Sequence, residues 1–516
     1  MPAESTPVPP TIRLHPDDDV VVARVDLEPG LELPGEGAVV RDRVPRGHKV
    51  ATRAVAAGAP VRRYGQTIGF ASQVIEPGDH VHTHNLAMGE PGRAYEFSTL
   101  ARPTAFVDAP ATFQGIRRED GRVATRNYVG ILTSVNCSAT VATRIADAFR
   151  RRPGSPDDPL AEYPNVDGVV ALTHKGGCAL PGEGEAIDLL RRTLGGYARH
   201  PNFAAVVVVG LGCETNQIGP IVDTQGLRLG PKLHALTIQE EGGTIRTVER
   251  GVALVKALLP DANRSSRQPV PLSHLVVGLQ CGGSDGYSGI TANPALGAAS
   301  DLVVRHGGTV ILSETPETYG AEHLLTRRAV SREVGEKLLQ VFDWWKDYTA
   351  RNGAVLDNNP SFGNKAGGLT TILEKSLGAV AKAGTTNLVD VYRYAEAVRE
   401  RGFVFMDTPG YDPVSATGQV AGGANLVCFT TGRGSVFGCV PSPSIKLSTN
   451  TALYRRMGDD IDLDCGGIAD GLETVEACGR RIFDRIVRVA SGEESRSEAL
   501  GFGEAEFAPW TIGATM

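Results

Sequence analysis

Aromatic residues make up only 6% of this 516-residue chain, and positive charge is in deficit. Lys and Arg number 52 against 59 Asp and Glu, for a formal net charge of -7. Scarce rings argue against broad base-stacking platforms, and the acidic balance argues against a basic nucleic-acid surface or a polybasic membrane anchor. No uninterrupted apolar run approaches the roughly 18 residues of a membrane helix. The opening "MPAESTPVPPTIRLHPDDD" has no basic stretch leading into an apolar one, so no secretory signal is read and a cytoplasmic protein is expected. Three sequence signatures are missing as well. There is no CxxC pair, no GxxxxGK[ST], and "VVVVGLGCETNQ" has the wrong spacing for GxGxxG. Zinc-knuckle, phosphate-loop and dinucleotide-binding readings therefore have little support.

Glycine, by contrast, is abundant. The chain has 62 glycines, where an average usage of about 7% gives roughly 36. They cluster in "GNKAGGL", "TTGRGS" and "QVAGGAN", as tight turns and close backbone approach to a ligand require. The length predicts two or three domains. Residues 12–97 carry short strand-like pieces such as "DDVVVARVDL", "APVRRYGQTIGFAS" and "GDHVHTHNL", separated by Gly and Pro, and read as a small all-β unit spanning 1–97. Residues 98–115 lack periodicity and read as a linker. From "NYVGILTSV" onward, apolar strands alternate with amphipathic helices, which predicts α/β architecture with a mostly parallel sheet. The polar stretch 259–272 suggests a boundary, giving α/β portions 116–265 and 266–516.

Eight cysteines in a chain this long are not a disulfide scaffold. Cys428 and Cys478 read as small buried hydrophobes. Cys137, Cys178, Cys213 and Cys281 each follow a candidate strand, with glycine or small polar residues around them. Ligands in open α/β sheets bind outside the carboxyl ends of the strands. Topology could therefore gather these four thiols at one site, and soft thiolates favour iron–sulfur clusters, zinc and other transition metals. Polar residues share the same loops: His174 and Lys175 before Cys178, Glu214, Asn216 and Gln217 after Cys213, Ser284 and Asp285 after Cys281. They suit acid/base work, ligation or hydroxyl binding, or simply turn chemistry. Lys365 and Arg433 sit in glycine-rich loops where a cation can closely meet a carboxylate. His48 and Lys49 lie in "PRGHKVA", and His80, His82 and His84 form an alternating row that suits an anion or a metal if it is strand-borne.

Several strings here resemble one family: "RGHKVA", "YGQTIGFA", "HVHTHN", "RNYVGILTSVNC", "GLGCETNQ", "QCGGSDGYSGITANP", "GNKAGGLTTILEKSLG" and "FTTGRGSVFG". The resemblance, which covers nearly the whole chain, is to the altronate and galactarate dehydratases. It implies an N-terminal SAF (β-clip) domain, a second domain and a C-terminal domain with a Rossmann-like parallel sheet. It also implies iron-dependent, oxidation-sensitive dehydration of a sugar acid by a homodimer, the iron being mononuclear Fe²⁺ or part of a cluster. "HVHTHN" resembles the altronate branch. On this reading altronate loses its C2 proton and C3 hydroxyl to give 2-keto-3-deoxygluconate. Cys137, Cys178, Cys213 and Cys281 are expected at the iron, and His174, with Glu214 second, as acid/base. Lys365 and Arg433 are expected at the substrate carboxylate, with Asn216, Ser284 and Asp285 contacting substrate. His48, His82 and His84 are expected to cap the site. The alternatives are galactarate dehydration, release of sulfite from sulfolactate, and a non-enzymatic sugar-acid sensor.

Overall fold

The computed structural model describes residues 8–513 except 91, 93 and 153. The N-terminal unit is all-β, with short antiparallel strands. Thr11–Ile12, Val20–Ala23, Lys49–Ala51 and His80–Val81 form one sheet, and Pro60–Arg63, Gln66–Ala71 and Leu86–Ala87 another. The strand VVVA is buried along its whole length, and its side chains divide between different cores. Val21 and Ala23 join Leu27, Val44 and Val50 in a core of the unit's own. Val20 belongs to the large core of the C-terminal portion, and Val22 packs with Tyr287 and Ile290. A strand covered on both faces reads as a continuous apolar run.

The chain then enters the strand Thr112–Arg117, which begins inside the stretch expected to be a linker. This strand pairs antiparallel with Arg267–Pro271, inside the expected boundary. The entrance and exit of the second portion are thus tied together. Between them lies a parallel four-stranded sheet in the order Gly168–Leu172, Tyr128–Thr133, Phe203–Gly210, Leu233–Thr237. Period-2 alternation divides its faces. Val129 and Ile131 pack under the helices Ala139–Asp147 and Thr244–Asn263. Leu132, Val170, Val206 and Val208 pack with the helix Glu185–Ala198 and, beyond it, with Tyr394, Ala416 and Phe429 of the C-terminal portion.

The C-terminal portion is built on a seven-stranded sheet, parallel throughout. Its order is Leu388–Tyr392, Gly402–Met406, Thr309–Leu312, Val276–Cys281, Leu426–Thr431, Ser444–Ser448, Leu463–Asp464. The first strand in the chain, Val276–Cys281, is central. Its successor lies on one side, and Leu426–Thr431 returns to the other. Reversal of strand order at a central strand opens a crevice at the carboxyl ends, where open α/β sheets bind ligands. The expected class, a small β unit followed by α/β portions with parallel sheets, is the observed one. Among the described residues no helix is long and apolar enough to cross a membrane.

Candidate active site

The loops after Val276–Cys281 and Leu426–Thr431 flank this crevice. Asp285 anchors them. Its carboxylate accepts from Thr449 Oγ1 (2.9 Å), Ser288 Oγ (3.1 Å), the Tyr287 amide and Asn450 Nδ2 (3.1 Å). With all these partners Asp285 is a buried hub of the loops, the turn role its residue type permits. Gly432 is required beside it, since a Cβ there would stand 2.2 Å from Asp285 Cγ. The carbonyl of Ser284 accepts from Asn364 Nδ2 (2.8 Å), which fixes the short helix Phe362–Ala366 above the crevice. That helix carries Lys365 in its last turn. Exposed Arg433 lies along the glycines that follow, Cδ being 3.3 Å from where a Cβ on Gly367 would sit. Arg433 thus lies against the segment that carries Lys365.

The N-terminal β unit closes the other side. Gly47, Gly286 and the pair Gly367–Gly368 meet backbone to backbone. The Gly286 amide donates to the Gly367 carbonyl (2.8 Å), and a Cβ on Gly286 would lie 2.0 Å from the Gly47 carbonyl oxygen. Lys49 Nζ donates to the Gly368 carbonyl (2.6 Å) and to Glu374 (2.9 Å), and Arg63 also pairs with Glu374. All three side chains are fully buried. Beside this anchor lies a histidine cluster. His48 Nδ1 and His80 Nε2 are 3.0 Å apart, and the His48 ring stacks on that of His82 at 5.1 Å. His84 stands next to His80 at 5.6 Å. His48 Nε2 meets the Ala366 carbonyl (3.3 Å) and His82 Nε2 the Lys365 carbonyl (2.9 Å). Only His80 is in a strand, so the cluster comes from the strand pair meeting a turn and not from a row along one strand. Burial, reinforced by neighbouring imidazoles, lowers His48 to about 4 and His80 to about 3. Both are neutral near pH 7.

The four strand-end cysteines do not meet. Cys281 is the last residue of its strand and fully buried in the C-terminal portion, whereas Cys137, Cys178 and Cys213 are exposed at the carboxyl ends of three adjacent strands in the other sheet. The expectation of one four-thiol site is therefore corrected: two separate sheets carry the thiols. The loops of the three exposed thiols are stitched together. The Asn136 amide donates to the Gly176 carbonyl (3.0 Å), the Asn216 amide to the Gly177 carbonyl (3.0 Å), and Asn216 Nδ2 to the Ser134 carbonyl (3.0 Å). His174 and Glu214 serve these loops. His174 Nε2 meets the Thr133 carbonyl (2.9 Å) and Nδ1 accepts from the Gly176 amide, leaving neither nitrogen for a substrate proton. Burial holds His174 down at about 4. Burial pushes the Glu214 carboxyl up, but hydrogen bonds from Ser134 Oγ (2.6 Å) and the Gly212 and Leu211 amides outweigh it and hold the group below the usual range. Both are positioning residues in this geometry.

Beneath the crevice lies a charged layer that the motif reading missed. Cys281 Sγ, Glu314 and Glu317 have ligand atoms all within 4.8 Å of one another, a donor set that suits a divalent transition metal by type. The same atoms already hold cations. Lys382 Nζ is 2.7 Å from Cys281 Sγ and 2.8 Å from Glu314 Oε2, and Lys375 Nζ is 2.8 Å from Glu317 Oε1. Two ammonium groups balance two carboxylates, so iron does not fit this set. The histidine cluster does not bring three free ligand atoms together among the described residues. It offers two facing nitrogens, His48 Nδ1 and His80 Nε2, with His48 Nε2 against the Ala366 carbonyl as the second nitrogen of a ligating histidine commonly is. His82 is engaged at both nitrogens, Nδ1 with Thr83 Oγ1 (3.0 Å) and Nε2 with the Lys365 carbonyl. A trace of the buried layer was in the sequence. Glu374, Lys375 and Lys382 interrupt the otherwise apolar helical stretch "TTILEKSLGAVAKA", where each falls on a buried face.

Three family models tile the chain. Residues 9–89 match the altronate/galactarate dehydratase SAF domain, 115–263 the second domain of D-galactarate dehydratase/altronate hydrolase, and 272–515 the C-terminal domain of D-galactarate/altronate dehydratase. The chain is 35% identical to altronate dehydratase of Bacillus subtilis and 36% identical to that of Escherichia coli, in each case over 98% of this chain and 99% of the relative. It is 38% identical to galactarate dehydratase (L-threo-forming) of Escherichia coli, over 95% of this chain and 94% of the relative.

Proposed function

The chain belongs to the altronate and galactarate dehydratase family, and from that premise we propose that it dehydrates altronate where the β unit meets the seven-stranded sheet. The observation that supports this site is the meeting of the Arg433 side chain, the segment that carries Lys365 and the neutral imidazoles of His48 and His80 at the strand-order reversal. Removal of a C2 proton beside a carboxylate is difficult because the enediolate concentrates negative charge. Lys365 Nζ and the Arg433 guanidinium bind the substrate carboxylate and stabilise that charge as it develops. His48 Nδ1 and His80 Nε2, 3.0 Å apart, would hold iron, which would supply Lewis acidity toward the substrate's carboxylate and departing hydroxyl. His84 accepts the C2 proton. Its ring stands on the exposed side of His80 and makes no hydrogen bond among the described residues. The three exposed thiols carry no step in this scheme.

The test is an assay of anaerobically purified, iron-reconstituted protein on altronate, galactarate and sulfolactate. The 2-keto-3-deoxy acid from altronate is the expected product. Galactarate is the second reading, favoured by the 38% relative. Sulfite from sulfolactate, or binding without turnover, would overturn the proposal. The roles separate by variant. Lys365→Met should lower kcat/KM by about 10- to 100-fold, the loss of one hydrogen bond to a charged group at about 1.5–3 kcal/mol. His84→Gln should lower kcat by about 10²–10⁴-fold with iron content unchanged. His80→Asn should reduce the iron content itself, measured by elemental analysis.

A further inference from the structure

We propose that Cys281 and Lys382 are an oxidisable pair which hydrogen peroxide joins through one oxygen atom, giving a lysine–cysteine N–O–S bridge. Lys382 Nζ stands 2.7 Å from Cys281 Sγ. Amide donors usually keep about 2.9–3.0 Å even from oxygen, and sulfur is the larger atom. Both side chains are buried, Lys382 at 0% exposure and Cys281 at 1%. Nitrogen and sulfur are thus held within the reach of a single bridging atom.

The surroundings favour this product. Cys281 has no thiol opposite it for a disulfide: its cross-strand partner is Thr430, and Cys428 pairs with Leu279. Glu314 Oε2 lies 2.8 Å from Lys382 Nζ and 3.5 Å from Cys281 Sγ, placed to take a proton from either. Glu314 is fully buried in a left-handed conformation at φ 65°, and its Oε1 finds no partner among the described residues. Strained residues cluster at functional sites, and an unpaired buried oxygen calls for an explanation beyond packing. A cavity of about 10 Å³ reaches Cys281, walled in part by Tyr64, Asp285, Leu369, Glu374 and Lys375. That is at the threshold for one water-sized molecule.

The chemistry balances in two steps. One peroxide oxidises the thiol to the sulfenic acid and leaves as water. Lys382, having passed its extra proton to Glu314, then reacts as the neutral amine with the sulfenic acid and a second peroxide. An N–O bond forms, the S–O bond is kept, and two waters leave. Sulfur and nitrogen together give up four electrons, and each peroxide accepts two. The bridge would replace the ammonium group facing Glu314 with a neutral nitrogen and tie the strand Val276–Cys281 to the turn Ala381–Ala383.

The test is peptide mapping of the native full-length protein after peroxide treatment, with and without later dithiothreitol. The expected product is a cross-linked peptide pair containing Cys281 and Lys382. Its mass exceeds the sum of the two peptides by one oxygen less two hydrogens, and dithiothreitol abolishes it. Lys382→Met should give no cross-link and leave Cys281 as an oxyacid. Cys281 remaining a thiol in the treated wild type, or reaching sulfinic or sulfonic acid with Lys382 unmodified, overturns the proposal whether or not the variant folds. The readout uses no substrate, so it stands apart from the dehydratase assay.

Discussion

Glu374 shows how a single carboxylate can fasten one portion of the chain to another. It is fully buried and receives Lys49 and Arg63 from the β unit. Burial pushes its carboxyl up, but the two cations and the Thr370 hydroxyl outweigh this, bringing it from 4.5 down to about 2. A carboxylate with a depressed folded-state pKa contributes stability that is complete above its unfolded value and is lost as pH falls through the folded one. The window is therefore about pH 4 to 2, and the contribution at stake is ~3 kcal/mol. Glu374→Gln leaves two buried cations short of their partner and should cost about 3–5 kcal/mol. Denaturant midpoints measured from pH 2 to 7 check both the loss and the flattened acid limb. At this scale the sequence was only partly legible. Lys365 and Arg433 could be singled out because glycine-lined cations are unusual. His174 and Glu214 could not be assigned correctly because residue type does not reveal which hydrogen bonds are already made.

Local patterning carried further at the level of elements. Apolar strands ending in "CSAT", "HKGGC" and "GCET" fall where expected, and their adjacency places Cys137, Cys178 and Cys213 on one edge of one sheet. The fourth, after "VVGLQC", belongs to a different sheet because strand partners are chosen by tertiary packing, which an isolated apolar run does not specify. The strand Thr112–Arg117 was hidden for a related reason: its partner, Arg267–Pro271, lies far along the chain and carries two prolines. The glycine-to-glycine junction yields a sharp expectation. Gly286→Ala would drive a methyl group into the Gly47 carbonyl. Overpacking of this kind costs roughly 1–3 kcal/mol, and it should loosen the β unit from the rest. Calorimetry should then resolve two transitions where the parent shows one, and activity should fall with the first.

Across the whole molecule, burial sorts the eight cysteines into two classes: Cys137, Cys178 and Cys213 are exposed, and Cys281, Cys428, Cys439, Cys465 and Cys478 are buried. Brief maleimide treatment of the native protein should label the first three, and the other five only after denaturation, as counted by intact mass. Labelling of Cys281 at the rate of the exposed thiols would show that the sheet end is open. The central position of Val276–Cys281 has a consequence for biogenesis. This strand leaves the ribosome before every other strand of its sheet, yet the neighbour on one flank, Leu426–Thr431, is made only after the three strands of the opposite wing. During that interval the nascent chain must carry an open, apolar sheet edge, a state prone to aggregation. Recombinant yield should therefore depend on translation speed and chaperone supply more than the finished protein's stability would suggest.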